Sequence, residues 1–341
     1  MSPHVEEIDT RRVPESTLQA LHQLYLVGDD EMLPGDPPVA EAQRLANWRH
    51  LVETDTVPRW VLWERDDVIA TSGAHMDLEQ NLDNAFGWVY VHPERRGRRL
   101  MRQVAGPMLD RVEEMGRKRF ATVVVVGRPE EDLVKRGGLE HVLTEKRSRL
   151  VLQDIDWDLM ESWVARATER ASDYELLFLP SPIPEEDLGA FCDLYGVMNT
   201  APMEGYQQED EVMTPSVLRD HEATDEARGV QNLTYVAVHR PSGEFAGFTN
   251  VEYQRLQPDQ VWQQDTGVDP DHRNNGLGRW LKAAMALQLR SSYPEVRRID
   301  THNAGSNAPM LNINIEMGFR PILVEGIWQG DLADLRQNLS V

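Results

Sequence analysis

Two short segments recur along the chain at nearly the same distance. Val91-His92-Pro93 returns as Val268-Asp269-Pro270 at a shift of 177 residues, and Gly138-Leu139 returns as Gly318-Phe319 at a shift of 180. A repeat at that distance in 341 residues points to a duplication, each copy having the size of an ordinary domain. Periodicity agrees. The first half reads as helices over 17–27 and 39–52, strands over 59–64, 68–74 and 85–91, a helix over 101–115, a strand over 119–126, a short helix over 132–136 and a strand over 141–152. The second half reads as strand 174–179, helix 185–194, an acidic loop, helix 215–222, strands 233–238, 245–253 and 261–268, helix 278–291, strand 296–301, helix 307–317 and strand 322–328. This order predicts an α/β class in which each half is a mixed, mostly antiparallel sheet flanked by helices. The expected domains are 1–160 and 174–341. The polar stretch Ser162 to Asp173 is expected to join them, with a helical reading left open.

Composition narrows the partners. The 57 acidic residues against 35 Lys and Arg leave a net charge of −22, which repels nucleic acid. Acids crowd between Ala201 and Val230. They read equally as a solubilising surface or as a field that draws in a cationic amine. No apolar run reaches eighteen residues and Met1 to Glu7 holds no apolar stretch, so the expectation is a cytoplasmic protein with no membrane partner. The single cysteine, Cys192, falls among Leu188, Phe191 and Leu194 and is expected to be buried rather than catalytic.

Chemistry concentrates where strand 261–268 meets the next helix. Val268-Asp269-Pro270-Asp271-His272-Arg273-Asn274-Asn275-Gly276-Leu277-Gly278 opens that helix. Its first N–H groups lack partners, and its dipole favours an anion. Gly276 and Gly278 leave the backbone approachable, while Arg273, Asn274 and Asn275 add donors. No Lys-Ser/Thr follows as in a Walker loop, and Gly-x-Gly-x-x-Gly is not matched.

The pattern Val-x-Pro-x-x-Arg-x-x-Gly-x-Gly resembles motif A of the GNAT acetyltransferases. The later run Asn303-Ala304-Gly305-Ser306-Asn307-Ala308-Pro309-Met310, followed by Asn314 and Gly318-Phe319, resembles their motif B. The resemblance covers the second half and implies a binding site for acetyl-CoA as cosubstrate, with no metal. Its contacts would be Gly267, Val268, Arg273, Asn274, Asn275, Gly276, Leu277, Gly278 and Arg279, with Asn303 and Asn307 for the pantetheine amides. In the first half, Arg96 fits motif A, but Arg99 and Met101 stand where Gly276 and Gly278 stand in the second. That copy therefore reads as degenerate. The tandem arrangement is similar to that of the mycothiol synthases.

Direct transfer to an amine, as the resemblance implies, needs a base, an oxyanion donor and an acid for the thiolate. Candidate bases, in order, are Asp265, Glu252 and His302. A strand bulge at Gly267 would aim a backbone N–H near Val268 at the oxyanion. Many relatives place a tyrosine acid where this chain has Asn314, so either water, Ser306 or another group takes that part or the leaving thiolate needs little help. The acceptor is expected over the loop holding Met198, Asn199, Met203, Glu204, Tyr206 and Asp210. The function implied is N-acetylation of a small amine. The alternatives are a peptide or protein amine as acceptor, or a non-catalytic acyl-CoA-binding protein. Either a monomer or a homodimer fits two fused copies.

Overall fold

The computed structural model describes residues 3–339. Two compact units form, and they are not the two halves of the chain. One comprises 1–145, 203–209 and 323–341; the other comprises 146–202 and 210–322.

The first unit contains β1 (His4–Ile8), α1 (Glu15–Met32), α2 (Glu41–Arg49), β2 (Asp55–Thr56), β3 (Arg59–Glu64), β4 (Asp67–Asp77), β5 (Asn84–Val91), α3 (Arg98–Glu114), β6 (Arg119–Val125), α4 (Glu130–Arg136) and the start of β7 (Glu140–Val151). The second contains the rest of β7, then α5 (Trp157–Arg170), β8 (Tyr174–Leu179), α6 (Glu185–Tyr195), α7 (Pro215–Arg228), β9 (Val230–His239), β10 (Glu244–Gln254), β11 (Gln260–Val268), α8 (Leu277–Ser292), β12 (Arg298–Ala304) and α9 (Ala308–Met317). The chain then returns through β13 (Arg320–Asp331) to the first unit, where α10 (Leu332–Leu339) ends it.

The expected boundary at 160–174 is therefore replaced by an exchange of last strands. Within the first unit β13 pairs antiparallel with β6, from Glu325↔Val125 to Asp331↔Arg119. Within the second, β7 from residue 146 onward lies beside β12. The first unit's strand order is β1-β3-β4-β5-β6-β13, and the second's is β8-β9-β10-β11-β12-β7. Hydrophobic alternation specifies a strand and its faces but not its neighbour, so either unit could have claimed either strand.

The stretch expected as a connector is helix α5, capped by the Asp156 side chain on the Leu159 N–H at 2.9 Å. Its Met160, Trp163 and Ala167 are buried in the second unit's core. Opposite them α8 buries Leu281, Met285 and Leu289 at 1% exposure or less. Side chains of that size are each worth about 1.5–3 kcal/mol when fully buried. β1 is a strand that periodicity missed: only Ile8 of its five residues is buried. No helix is long and apolar enough to cross a membrane among the described residues.

Part of the acidic loop expected to admit an acceptor, 203–209, belongs to the first unit. There the Gly205 N–H donates to the Val142 carbonyl at 3.0 Å, and the Gln207 N–H to Gln329 Oε1 at 2.8 Å. The Asn81 and Glu209 backbone amides donate to each other's side chains at 2.8 and 2.7 Å. Strand and loop partners hold this segment within the first unit, while Met198, Asn199 and Asp210 of the same loop belong to the second.

Candidate active site

The site of the second unit begins with a break in a sheet ladder. β10 and β11 pair from Gly247↔Val268 to Thr249↔Thr266 and resume at Val251↔Gln263, so Gln264 and Asp265 face the single residue Asn250. This is a bulge, and it lies there rather than at Gly267. The Gln263 amide explains its place: it donates to the Asn250 carbonyl at 2.7 Å and to Thr249 Oγ1 at 3.1 Å, filling the gap in the ladder. Gly267 has another reason to be glycine, since a Cβ there would come within 2.4 Å of the Val197 side chain.

The pairing of β11 with β12 ends beside the bulge. β11 runs parallel to β12 from Gln260↔Arg298 to Gln263↔Thr301, and the bulge begins at the next residue. Thr301 Oγ1 donates to the Gln263 carbonyl at 3.1 Å, pinning the point of divergence.

At the far end of β11, a short helical turn over Pro270–His272 leads through Arg273, Asn274 and Asn275 to Gly276, the N-cap of α8. Asn274 and Gly276 both take left-handed backbone angles, φ 67° and 78°. Left-handed residues before a helix N-terminus turn backbone N–H groups into an anion-binding concavity. A Cβ on Gly276 would meet nothing within 4 Å, so the concavity is open. Arg273 donates to the Val268 carbonyl at 3.1 Å and to Thr200 Oγ1 at 2.7 Å, both neutral partners, leaving its charge for an anion. Asn275 Nδ2 donates to the Tyr174 hydroxyl at 3.3 Å and to the His272 carbonyl at 3.1 Å, which makes it a brace of the loop.

Other expected contacts have structural duties. Leu277 is 1% exposed in the core, so only its backbone can reach a ligand. Gly278 admits the Ile313 side chain, 3.3 Å from a would-be Cβ. Arg279 is paired with Glu316 at 2.6 Å. Asn307 caps α9 by accepting the Met310 N–H at 3.3 Å, and Asn303 accepts from Asn314 Nδ2 at 2.6 Å. Asn314 itself is buried, and its Oδ1 has no hydrogen-bond partner.

The three candidate bases part company. His302 is exposed and stacks on Trp262, ring centroids 5.6 Å apart and planes within 4°. Glu252 and Asp265 line one cavity of about 150 Å³, together with Tyr195, Asp225, Asn250 and Gln264. Asp265 accepts the Tyr195 hydroxyl at 2.9 Å, and burial raises its pKa. Glu252 is pushed up to about 7, first by burial and then by the Asp225 carboxylate, against a hydrogen bond from Gln264. A carboxyl with that value both loses and holds a proton near neutrality.

Tyr195 and Asn250 escape the sequence reading as site residues, and Asp225 enters it only as one of the acids between Ala201 and Val230. Asn250 and Glu252 alternate on β10 and so share a face, a signal that period two alone could have supplied. Tyr195 ends a helix of core residues and carries no such mark. Lys282 was missed too: it is 2% exposed inside α8, and burial drives its amine down to about 7.

No family model matches the chain, and no curated protein matches it in sequence. Solved structures do match. A tandem GNAT protein from the clavulanic acid biosynthesis pathway is 20% identical, with a TM-score of 0.78 over 97% of this chain and 99% of that one. A GCN5-related N-acetyltransferase from Sphaerobacter thermophilus is 12% identical, with a TM-score of 0.66 over 96% of each chain. N-myristoyltransferase of Saccharomyces cerevisiae is 12% identical, with a TM-score of 0.60 over 96% of this chain and 80% of that one. With the bulged strand, the diverging partner and the glycine-capped helix in place, the fold of this chain is that of a tandem GNAT protein.

Proposed function

We propose that the chain is an acyltransferase that takes an acetyl group from acetyl-CoA and delivers it directly to the amine of a small molecule. The observation that carries this reading is the placement of Glu252, its pKa near 7, in a cavity bordered by the bulge residues Gln264 and Asp265.

The cosubstrate would supply the activated acyl group and a thiolate leaving group. Arg273 and the N–H groups around Asn274 and Gly276 would hold its diphosphate, and the cleft between β11 and β12 would hold its arm. Glu252 would take a proton from the incoming ammonium, making the amine nucleophilic. A backbone N–H freed by the extra residue of the bulge would donate to the developing oxyanion. Tyr195, a hydroxyl of the same cavity hydrogen-bonded to Asp265, would return a proton to the thiolate, the part that Asn314 cannot play.

Glu252, Asp265 and Asp225 together suit a cationic acceptor. A cavity of about 150 Å³ supports a small amine over a peptide. The test is free-thiol release from acetyl-CoA across a panel of small amines, for the parent and for Glu252→Gln. Turnover that requires an amine and collapses in the variant supports the reading. Release that ignores the amine, or survives Glu252→Gln unchanged across pH, refutes it.

A further inference from the structure

The first unit contains a cavity of about 480 Å³, within the size range of small-molecule sites. It arises where two strands part. β5 and β6 pair in parallel over Asn84↔Arg119, Ala85↔Phe120 and Phe86↔Ala121, and beyond these the cavity runs between 87–91 and 122–125. Met101, Ala105 and Met108 of α3 line its inner side. At its rim Val123 and Met32 stay 38% and 40% exposed, apolar surface left open to water around a concave site.

Two of the three arginines that line the cavity, Arg96 and Arg128, are already matched, and the third, Arg136, is exposed to solvent. Arg96 pairs with Glu31 at 2.6 Å and with Glu130 at 3.7 Å, while Arg128 reaches the Glu31 carboxylate at 3.7 Å and its carbonyl at 2.5 Å. A diphosphate entering here would compete with two carboxylates, and the left-handed loop that cradles an anion in the second unit has no counterpart. An uncharged hydrocarbon chain meets neither obstacle and buries its length against apolar walls.

We infer that the cleft of the first unit is a second ligand site, built for an uncharged aliphatic chain and not for a nucleotide. This assignment is independent of the reaction proposed for the second unit.

The full-length protein would be photolabelled with an eight-carbon primary alcohol carrying an aliphatic diazirine, and the adducts mapped by peptide mass spectrometry. Labelling is expected on peptides containing 87–91, 101–109 and 122–125. Unlabelled alcohols of six to ten carbons should compete with about fourfold tighter binding per added methylene. Val123→Glu should cut labelling at least tenfold without altering the melting temperature or acetyl-CoA binding. Met32→Glu, on an exposed position of another wall, gives the same reading should the first variant fail to fold. Saturating CoA should leave the label in place. Labelling outside the cleft, indifference to both variants, or displacement of the label by CoA would each overturn the assignment.

Discussion

The two units answer the same sequence pattern with different loops. After β11 the turn at Pro270–His272 reaches the N-cap Gly276 through Arg273, Asn274 and Asn275; after β5 the turn at Pro93–Arg95 meets the N-cap Gly97 directly after Arg96. The first unit's loop is thus two residues shorter. Gly97 is extended at φ 170°, and the left-handed pair is gone. Aligned by their caps, Gly97 and not Arg99 stands at the place of Gly276. The loss of the anion cradle is a deletion, where the sequence comparison had read a replacement of glycines by Arg99 and Met101. The ladders differ as well. β4 and β5 pair without interruption from Ala70↔Val91 to His75↔Phe86, so the first unit has no bulge there. Gly87 stands in it where Gln263 stands in the second unit, and a Cβ on Gly87 would come within 2.4 Å of Phe120. Glu252 has His75 as its counterpart, tied to Asp55 at 2.8 Å. One fold thus carries two loop lengths and two ladder registers.

The comparison can be broken most forcefully at the base. Glu252→Gln should lower kcat/KM by about 100-fold or more and remove a rise in rate centred near pH 7, measured by thiol release over pH. The same variant tests linkage. The folded carboxyl keeps its proton above the ordinary value of 4.5, so its contribution to stability is full below that value. It is lost as pH rises through about 7, at up to about 1.4 kcal/mol per pH unit. Melting curves of Glu252→Gln should lack that decline.

Next in size is the loop. Removing Asn274 and Asn275 shortens the second unit's loop to the length of the first and should weaken acetyl-CoA binding by about 100-fold through loss of charge-assisted N–H contacts, read by calorimetry. Unchanged affinity would show that loop length is not what separates the units.

A smaller effect is expected at Lys282. Its amine is held down to about 7 by burial, against an ordinary value of 10.5. Between those values the unfolded chain binds the extra proton, so stability rises with pH across the window and is lowest beneath it. Lys282→Met should flatten that slope and raise the melting temperature at pH 7 by a few degrees. The smallest change expected is none: Glu31→Gln with Glu130→Gln frees Arg96, yet the short loop should keep the first unit from gaining CoA affinity. A gain would mean that charge pairing, and not the loop, silenced it.

Much of the fold was legible because it rests on local signals. Apolar spacing marks α8, and Asn307 with Gly318 at the far end marks α9, whereas the reading of α7 over 215–222 stops short of its end at Arg228 and the Gly229 cap. Motif A was legible because Gly276 answers a backbone requirement that no other residue type meets as readily. The bulge lies at Gln264 and Asp265 and not at Gly267, since a slip in register depends on what Gln263 finds across the ladder. Asp265 and Glu252 lie on neighbouring strands and look alike in sequence. Burial and the neighbouring Asp225 distinguish them, and both come from elements distant in sequence.

By itself the sequence determined the duplication, the order of elements and the glycine-capped helix, because periodicity, turns and caps are set by neighbours within a few residues. Tertiary structure alone decided which unit each last strand joins, where the β11 ladder slips, which carboxylate titrates near neutrality and how the arginines of the first unit are spent. Each of these turns on contacts between distant segments, and hydrophobic patterning is indifferent to which partner makes them.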